Sequence, residues 1–233
     1  MTEPLAIVLI PGLLDSARLY AEQIPALWRF GPVTVADHTR DDSMAGIARR
    51  ILADAPPRFA LAGLSMGGYV AFEILRQAPA RVVKLALLDT TARPDTPEQS
   101  AARRAQMALA AAGRLAEVLD AALPRLLHHA RRDDAALRQV MAAMAQEVGA
   151  EGFIRQQKAT MERSDSRPML ARIRAPTLVL VGEGDELTPP EHAAEMAHGI
   201  AGARLVSVPD CGHMSTLERP REVTQALLAW LQA

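Results

Sequence analysis

The chain has almost no cysteine and almost no net charge. Cys211 is the only cysteine in 233 residues, which excludes an intrachain disulfide framework and any thiolate metal cluster and agrees with a reducing, cytoplasmic setting. Lys and Arg number 26 against 27 Asp and Glu, a formal charge of -1. No global field then draws the protein to nucleic acid or to an anionic membrane, and a small, roughly neutral molecule is the expected partner. Long apolar runs are missing as well. Leu5–Ile10 meets Pro11-Gly12 too early to span a bilayer, and Met1-Thr2-Glu3-Pro4 ahead of it lacks the basic n-region of a secretion signal. Neither a dinucleotide fingerprint nor a cluster of His and carboxylate ligands is present, so no cofactor and no metal is expected. Repeats and low-complexity linkers are absent too.

What is present alternates. Short apolar, partly β-branched runs recur at Leu5–Ile10, Val33–Ala36, Phe59–Leu64, Val82–Leu88, Thr177–Val181 and Arg204–Val208, and they read as buried parallel strands. Helical spacing fills Ala17–Leu27, Met44–Ala53, Met66–Gln77, Glu191–His198 and Arg221–Leu231. The expected fold is therefore α/β, a mostly parallel sheet of about six strands with helices on both faces. One domain fits this length better than two. The alternation fails from residue 93 to 168, where Ala, Arg, Leu and Met follow helical spacing without a strand. Residues 1–92 and 169–233 thus form the expected core, and 93–168 an inserted helical block. Following the strand that ends at Leu88, the block falls at the carboxyl edge of the sheet, where open α/β folds hold ligands, so a cap over a pocket is expected.

Gly63-Leu64-Ser65-Met66-Gly67 matches G-x-S-x-G between a strand and a helix, the context of a nucleophile elbow. So sharp a turn needs small residues two before and two after the serine, and Gly63 and Gly67 supply them. The helix start adds unpaired N–H groups beside the Ser65 hydroxyl. No Lys follows Gly68, so a phosphate-binding loop is excluded. A serine hydroxyl needs a base, and the base needs an orienting group. Of six histidines, His213 lies in a loop between the last strand and the last helix, at the same sheet edge as Ser65. His38, after an earlier strand, is a second candidate; His192 and His198 fall on an expected surface helix. For the acid, the loop after Val181 offers Glu183, Asp185 and Glu186, and Asp89 ends the strand before the insertion. Spacing alone does not choose among them.

The elbow Gly-Leu-Ser65-Met-Gly-Gly, the loop Gly182-Glu-Gly-Asp185 leading to Pro189, and Cys-Gly-His213-Met resemble the α/β-hydrolase superfamily in its capped, esterase-like branch. The resemblance covers residues 4–92 and 169–232 and much less of the helical block. It implies a serine hydrolase acting on carboxylic esters, with Ser65, His213 and Asp185 as triad and Asp89 as an alternative acid position. It also implies an oxyanion hole from the N–H groups of Leu13 and Met66. Two departures stand out: Pro11-Gly12 replaces a common His-Gly, removing a side chain that braces the loop, and Ala36–Ser43 lacks the usual Arg-Gly-x-Gly-x-Ser turn. Relatives with the same triad cleave carbon–carbon bonds, open enol-lactones, perform eliminations or only bind ligands. Met107, Met141, Met144 and Met161, with Leu13 and Leu14, suggest an adaptable apolar pocket suited to small or medium acyl or aryl groups, the methionines being equally candidates for core filling within the cap.

Overall fold

The computed structural model describes residues 4–233; the Met1–Glu3 part of the N-terminal reading lies outside them. Six strands form one sheet: β1 Ile7–Ile10, β2 Val33–Val35, β3 Phe59–Leu64, β4 Val82–Leu88, β5 Thr177–Gly182 and β6 Arg204–Val208. Their order is β2-β1-β3-β4-β5-β6, and each neighbouring pair runs parallel. All six lie on the apolar runs; the inner strands β1, β3, β4 and β5 are covered on both faces and so need apolar side chains at odd and even positions alike, while the edge strands β2 and β6 are partly exposed. In β3, Phe59 and Leu61 enter one hydrophobic layer, while Ala60, Ala62 and Leu64 enter the other.

The expected helix from Ala17 to Leu27 is instead two short pieces, a 3-10 turn at Ala17–Tyr20 and α1 at Ile24–Leu27. Pro25 has no N–H to give a continuous helix and is tolerated only in a first turn, where it stands. Helices α2 (Met44–Asp54) and α3 (Met66–Gln77) cover one sheet face. Between β4 and β5 come α4 (Pro97–Ala111), α5 (Leu115–Leu126) and α6 (Ala135–Met161), the last broken at Gly149, whose φ is 68°. Thr96 starts α4 with a reciprocal capping box to Gln99. The core resumes with α7 (Pro190–Gly199), α8 (Ser215–Glu218) and α9 (Pro220–Gln232). Among the described residues no helix is long and apolar enough to cross a membrane.

The chain leaves β1 outward to β2 and then returns across it to β3, so the strand order reverses between β1 and β3. The crevice beyond the carboxyl ends at such a reversal is where open α/β sheets bind ligands. The loop Pro11–Asp15 and Ser65 both emerge there.

Candidate active site

Ser65 sits between β3 and α3 with φ 54° and ψ -115°, a conformation costing a non-glycine residue about 1–3 kcal/mol. Three hydrogen bonds hold it. Its N–H donates to the Leu88 carbonyl at 2.9 Å, and its carbonyl accepts from Thr90 Oγ1 at 2.7 Å and from the Gly68 N–H at 2.9 Å. A Cβ on Gly63 would collide with the Gly67 carbonyl, and one on Gly67 with the Ile10 carbonyl. The two glycines are thus required by the close crossing of β1, β3 and α3.

His213 and Asp185 meet this hydroxyl. His213 Nε2 lies 2.9 Å from Ser65 Oγ, and His213 Nδ1 lies 2.8 Å from Asp185 Oδ2. A carboxylate only accepts, so Nδ1 carries the ring proton and Nε2 faces the serine as an acceptor. Asp185 also accepts the Leu187 and Thr188 N–H groups at 2.8 and 2.9 Å and the Thr188 hydroxyl at 2.7 Å. Burial alone would raise the Asp185 pKa, yet His213 and these donors hold it below the usual value. Burial alone would lower that of His213, yet the Asp185 charge and hydrogen bond raise it. The His213 loop is fixed from the helical block: the N–H groups of His213 and Met214 donate to the Leu126 carbonyl at the end of α5, at 2.9 and 3.3 Å. Glu218 ties the same parts together, accepting from Gly212 N–H at 2.9 Å and His128 N–H at 2.8 Å.

The other acid candidates fall elsewhere. Asp89 is fully buried, but its carboxyl accepts the Gly182 N–H at 2.9 Å and the Ser215 hydroxyl, and burial together with the Asp185 charge pushes it up to about 8. Glu183 and Glu186 stay outside the His213–Asp185 contact; Glu186 pairs with Arg132 at 2.9 Å.

The loop Pro11–Asp15 holds what sequence reading missed. Among the described residues, neither Leu13 N–H nor Met66 N–H has a protein acceptor, leaving both free for a ligand. Leu14, at φ 65°, donates its N–H to Gln156 Oε1 of α6 at 3.0 Å. His38 Nε2 lies 2.8 Å from the Gly12 carbonyl, and since a carbonyl only accepts, that nitrogen carries the proton. It also lies 3.0 Å from Gln156 Nε2, which is then a packing contact between two donors. The loss of a bracing side chain at Pro11 is therefore made good by His38, in the Ala36–Ser43 stretch that lacks the family turn. His38 is a brace and not the base. Asp15 is a further carboxyl facing the site, buried and pushed up to about 7 by that burial.

These groups open into a cavity of about 370 Å³ lined by Leu13, Leu14, Val118, Leu126, Met141 and Phe153 among others. Of the four methionines, Met141 lines it and Met144 lies in the core. His192, expected on the surface, lines the cavity instead. So do the arginines 93, 103, 125 and 163, whose cluster is invisible in a balanced net charge. Among the described residues, no three His, Cys, Asp or Glu side chains group as metal ligands.

The model of the alpha/beta hydrolase family matches residues 7–226. The Mycobacterium tuberculosis protein named non-heme bromoperoxidase BpoC is 30% identical over 179 residues, 75% of this chain and 67% of its own. The structure of a thermophilic esterase from Thermogutta terrifontis superposes with a TM-score of 0.88 at 30% identity, covering 98% of this chain and 89% of that one. The enol-lactonase of Burkholderia xenovorans LB400 superposes at 0.89 with 25% identity, covering 100% and 92%.

Proposed function

The chain belongs to the alpha/beta hydrolase family, and from that premise we propose that it is a serine hydrolase cleaving carboxylic esters of small or medium acyl or aryl substrates. Ser65 is the nucleophile, His213 the general base and Asp185 the group that orients it. The observation that carries this reading is the unbroken contact from Ser65 Oγ through His213 to Asp185, at 2.9 and 2.8 Å, opening on a mainly apolar cavity.

Ser65 Oγ bonds to the ester carbonyl carbon while its proton passes to His213 Nε2. The resulting oxyanion is taken by the N–H groups of Leu13 and Met66, which have no other acceptor. As the C–O bond breaks, His213 returns the proton to the leaving alcohol. Water then gives a proton to His213 and its oxygen to the acyl carbon, and collapse frees the acid and Ser65. The helical block from residue 93 to 168 acts as a cap: it walls the cavity and, through Leu126, holds the base in place. Its partner is a small molecule, and the single buried Cys211 fits a cytoplasmic setting. Opening of an enol-lactone, an internal ester, uses the same steps and is the second reading, favoured by the Burkholderia neighbour.

Turnover of a p-nitrophenyl ester series from acetate to decanoate, measured beside Ser65→Ala, tests the proposal. The parent should hydrolyse and the variant lose about 10⁴-fold or more in kcat. A variant as fast as the parent overturns the mechanism. Labelling of Ser65 by a fluorophosphonate without ester turnover would leave the nucleophile in place and remove ester cleavage.

A further inference from the structure

The lining of the cavity also carries an uncompensated cation. Asp95, just before α4, has a side chain only 1% exposed and serves two guanidinium groups at once. Arg103 of α4 gives it Nε at 2.7 Å and Nη2 at 3.3 Å, and gives Nη1 to Gln157 Oε1 at 2.7 Å. Arg163, just past α6, gives Asp95 its Nη1, gives the Thr160 carbonyl the same nitrogen at 2.9 Å, and gives the Arg93 carbonyl its Nε at 3.0 Å. Arg163 Nη2 has no acceptor among the described residues. Its guanidinium lies 4.3 Å from the Tyr69 ring centroid, and both Arg163 and Arg103 line the cavity that Ser65 and His213 line.

Two cations on one carboxylate leave one unit of positive charge. The Arg163 side chain is 6% exposed, and a charge so deeply placed needs a counter-charge or water. Among the described residues no carboxylate other than Asp95 lies within 4 Å of either guanidinium; Glu162, next to Arg163 in sequence, is exposed and makes no ion pair with it. Arg93 is taken by Glu195 at 2.9 Å, Gln157 and Gln106 are neutral and bonded to each other, burial and the Arg93 charge lower the His192 pKa, and Arg125 is exposed and gives its Nη2 to the Glu186 carbonyl at 3.2 Å. Asp15 lies at the oxyanion loop beside Gly12, on the serine side of the cavity.

We infer that the site takes monoanionic esters, in which a carboxylate remote from the scissile carbonyl is held by Arg163 and Arg103. This rests on the ester reading above. One unit of charge with one spare donor suits a carboxylate, and the Asp95, Gln157 and Tyr69 contacts fix the fork that receives it. The apolar wall then takes the chain linking the two ends of the substrate.

Two measurements test it, and the first needs no turnover. Adipate should bind the wild-type protein, read as a rise in Tm, at least tenfold more tightly than neutral adipamide at equal ionic strength. Equal binding of the two overturns the inference, whatever the protein hydrolyses. In the second, p-nitrophenyl hydrogen adipate should exceed its uncharged isostere p-nitrophenyl 6-methylheptanoate at least tenfold in kcat/KM, and Arg163→Gln and, separately, Arg103→Gln should bring that ratio toward one. A neutral ester cleaved as well as or better than the anionic one overturns the inference while the esterase reading stands. Adipate binding with neither ester cleaved sustains the anion site and removes the esterase reading. Should Arg163→Gln fail to fold, Arg103→Gln and the adipate comparison decide alone.

Discussion

Asp185 and Asp89 follow neighbouring strands and are both buried, yet only one of them reaches the imidazole. Their difference is one of hydrogen-bond partners, which spacing along the chain does not encode, and so the sequence left the acid open among four carboxylates. Asp185 gathers four donors including His213 and stays charged; Asp89 has a backbone N–H and the Ser215 hydroxyl, and keeps its proton up to about 8. The two should therefore respond oppositely to the same change. Asp185→Asn keeps an acceptor for the Leu187 and Thr188 N–H groups but no longer fixes the imidazole tautomer, and kcat should fall about 10⁴-fold, as for other triad aspartates. Asp89→Asn can still accept from Gly182 while its amide donates to Ser215, and activity should stay close to the parent's. Asp185 also raises the His213 pKa above its ordinary 6.5. Because the base works unprotonated, kcat/KM should rise with pH along an acid limb above 6.5, and losing the Asp185 charge should move the residual activity's limb lower. An Asp89→Asn enzyme that loses activity while Asp185→Asn keeps it would exchange the two assignments.

At the scale of elements, the catalytic loops are held less by their own strands than by segments far along the chain. The elbow was legible because G-x-S-x-G is a local pattern, although only Gly63 answers a demand made within it; Gly67 answers the Ile10 carbonyl of β1. The oxyanion loop was not. Its braces are His38, in the loop after β2, and Gln156 in α6, which stands 142 residues from the Leu14 it holds. Such separation leaves no periodicity to read, and a single glutamine in a long helix looks like any other polar position. Gln156→Leu removes the acceptor of a buried N–H at a residue already strained at φ 65°. The loop should then sample positions that misplace the Leu13 donor. We expect kcat to fall about tenfold, less than the 10²–10³ of an outright lost donor, with KM little changed, and Gln156→Glu, which keeps an acceptor, to recover part of it. A raised KM at constant kcat would instead make Gln156 part of the substrate wall.

At the scale of the whole molecule, the six apolar runs disclosed the sheet, its inner strands being covered on both faces and its edge strands β2 and β6 only in part, whereas the ionisation of its buried carboxyls came only with the packing. That packing sets how stability depends on pH. Asp89 keeps its proton to about 8 and Asp15 to about 7 in the folded protein, both against 3.8 for a free side chain. Over those windows the unfolded chain binds fewer protons, so stability falls as pH rises. His213, raised above 6.5, adds in the same direction: its contribution is complete below 6.5 and is lost as pH climbs through its folded value. His38 and His192 work oppositely, because burial lowers them and they withhold a proton the unfolded chain takes up near 6.5. Their contribution grows with pH but is complete once the unfolded histidines are neutral. Above pH 7 only the falling contributions are left in this range, so Tm should decline between pH 7 and 8.5. Asp89→Asn removes the largest of them and should flatten the decline while leaving Tm at pH 6 nearly unchanged. Thermal unfolding of the two proteins across that range decides it: a Tm that rises from pH 7 to 8.5, or a slope that Asp89→Asn does not alter, would mean that Asp89 is already ionised in the folded protein.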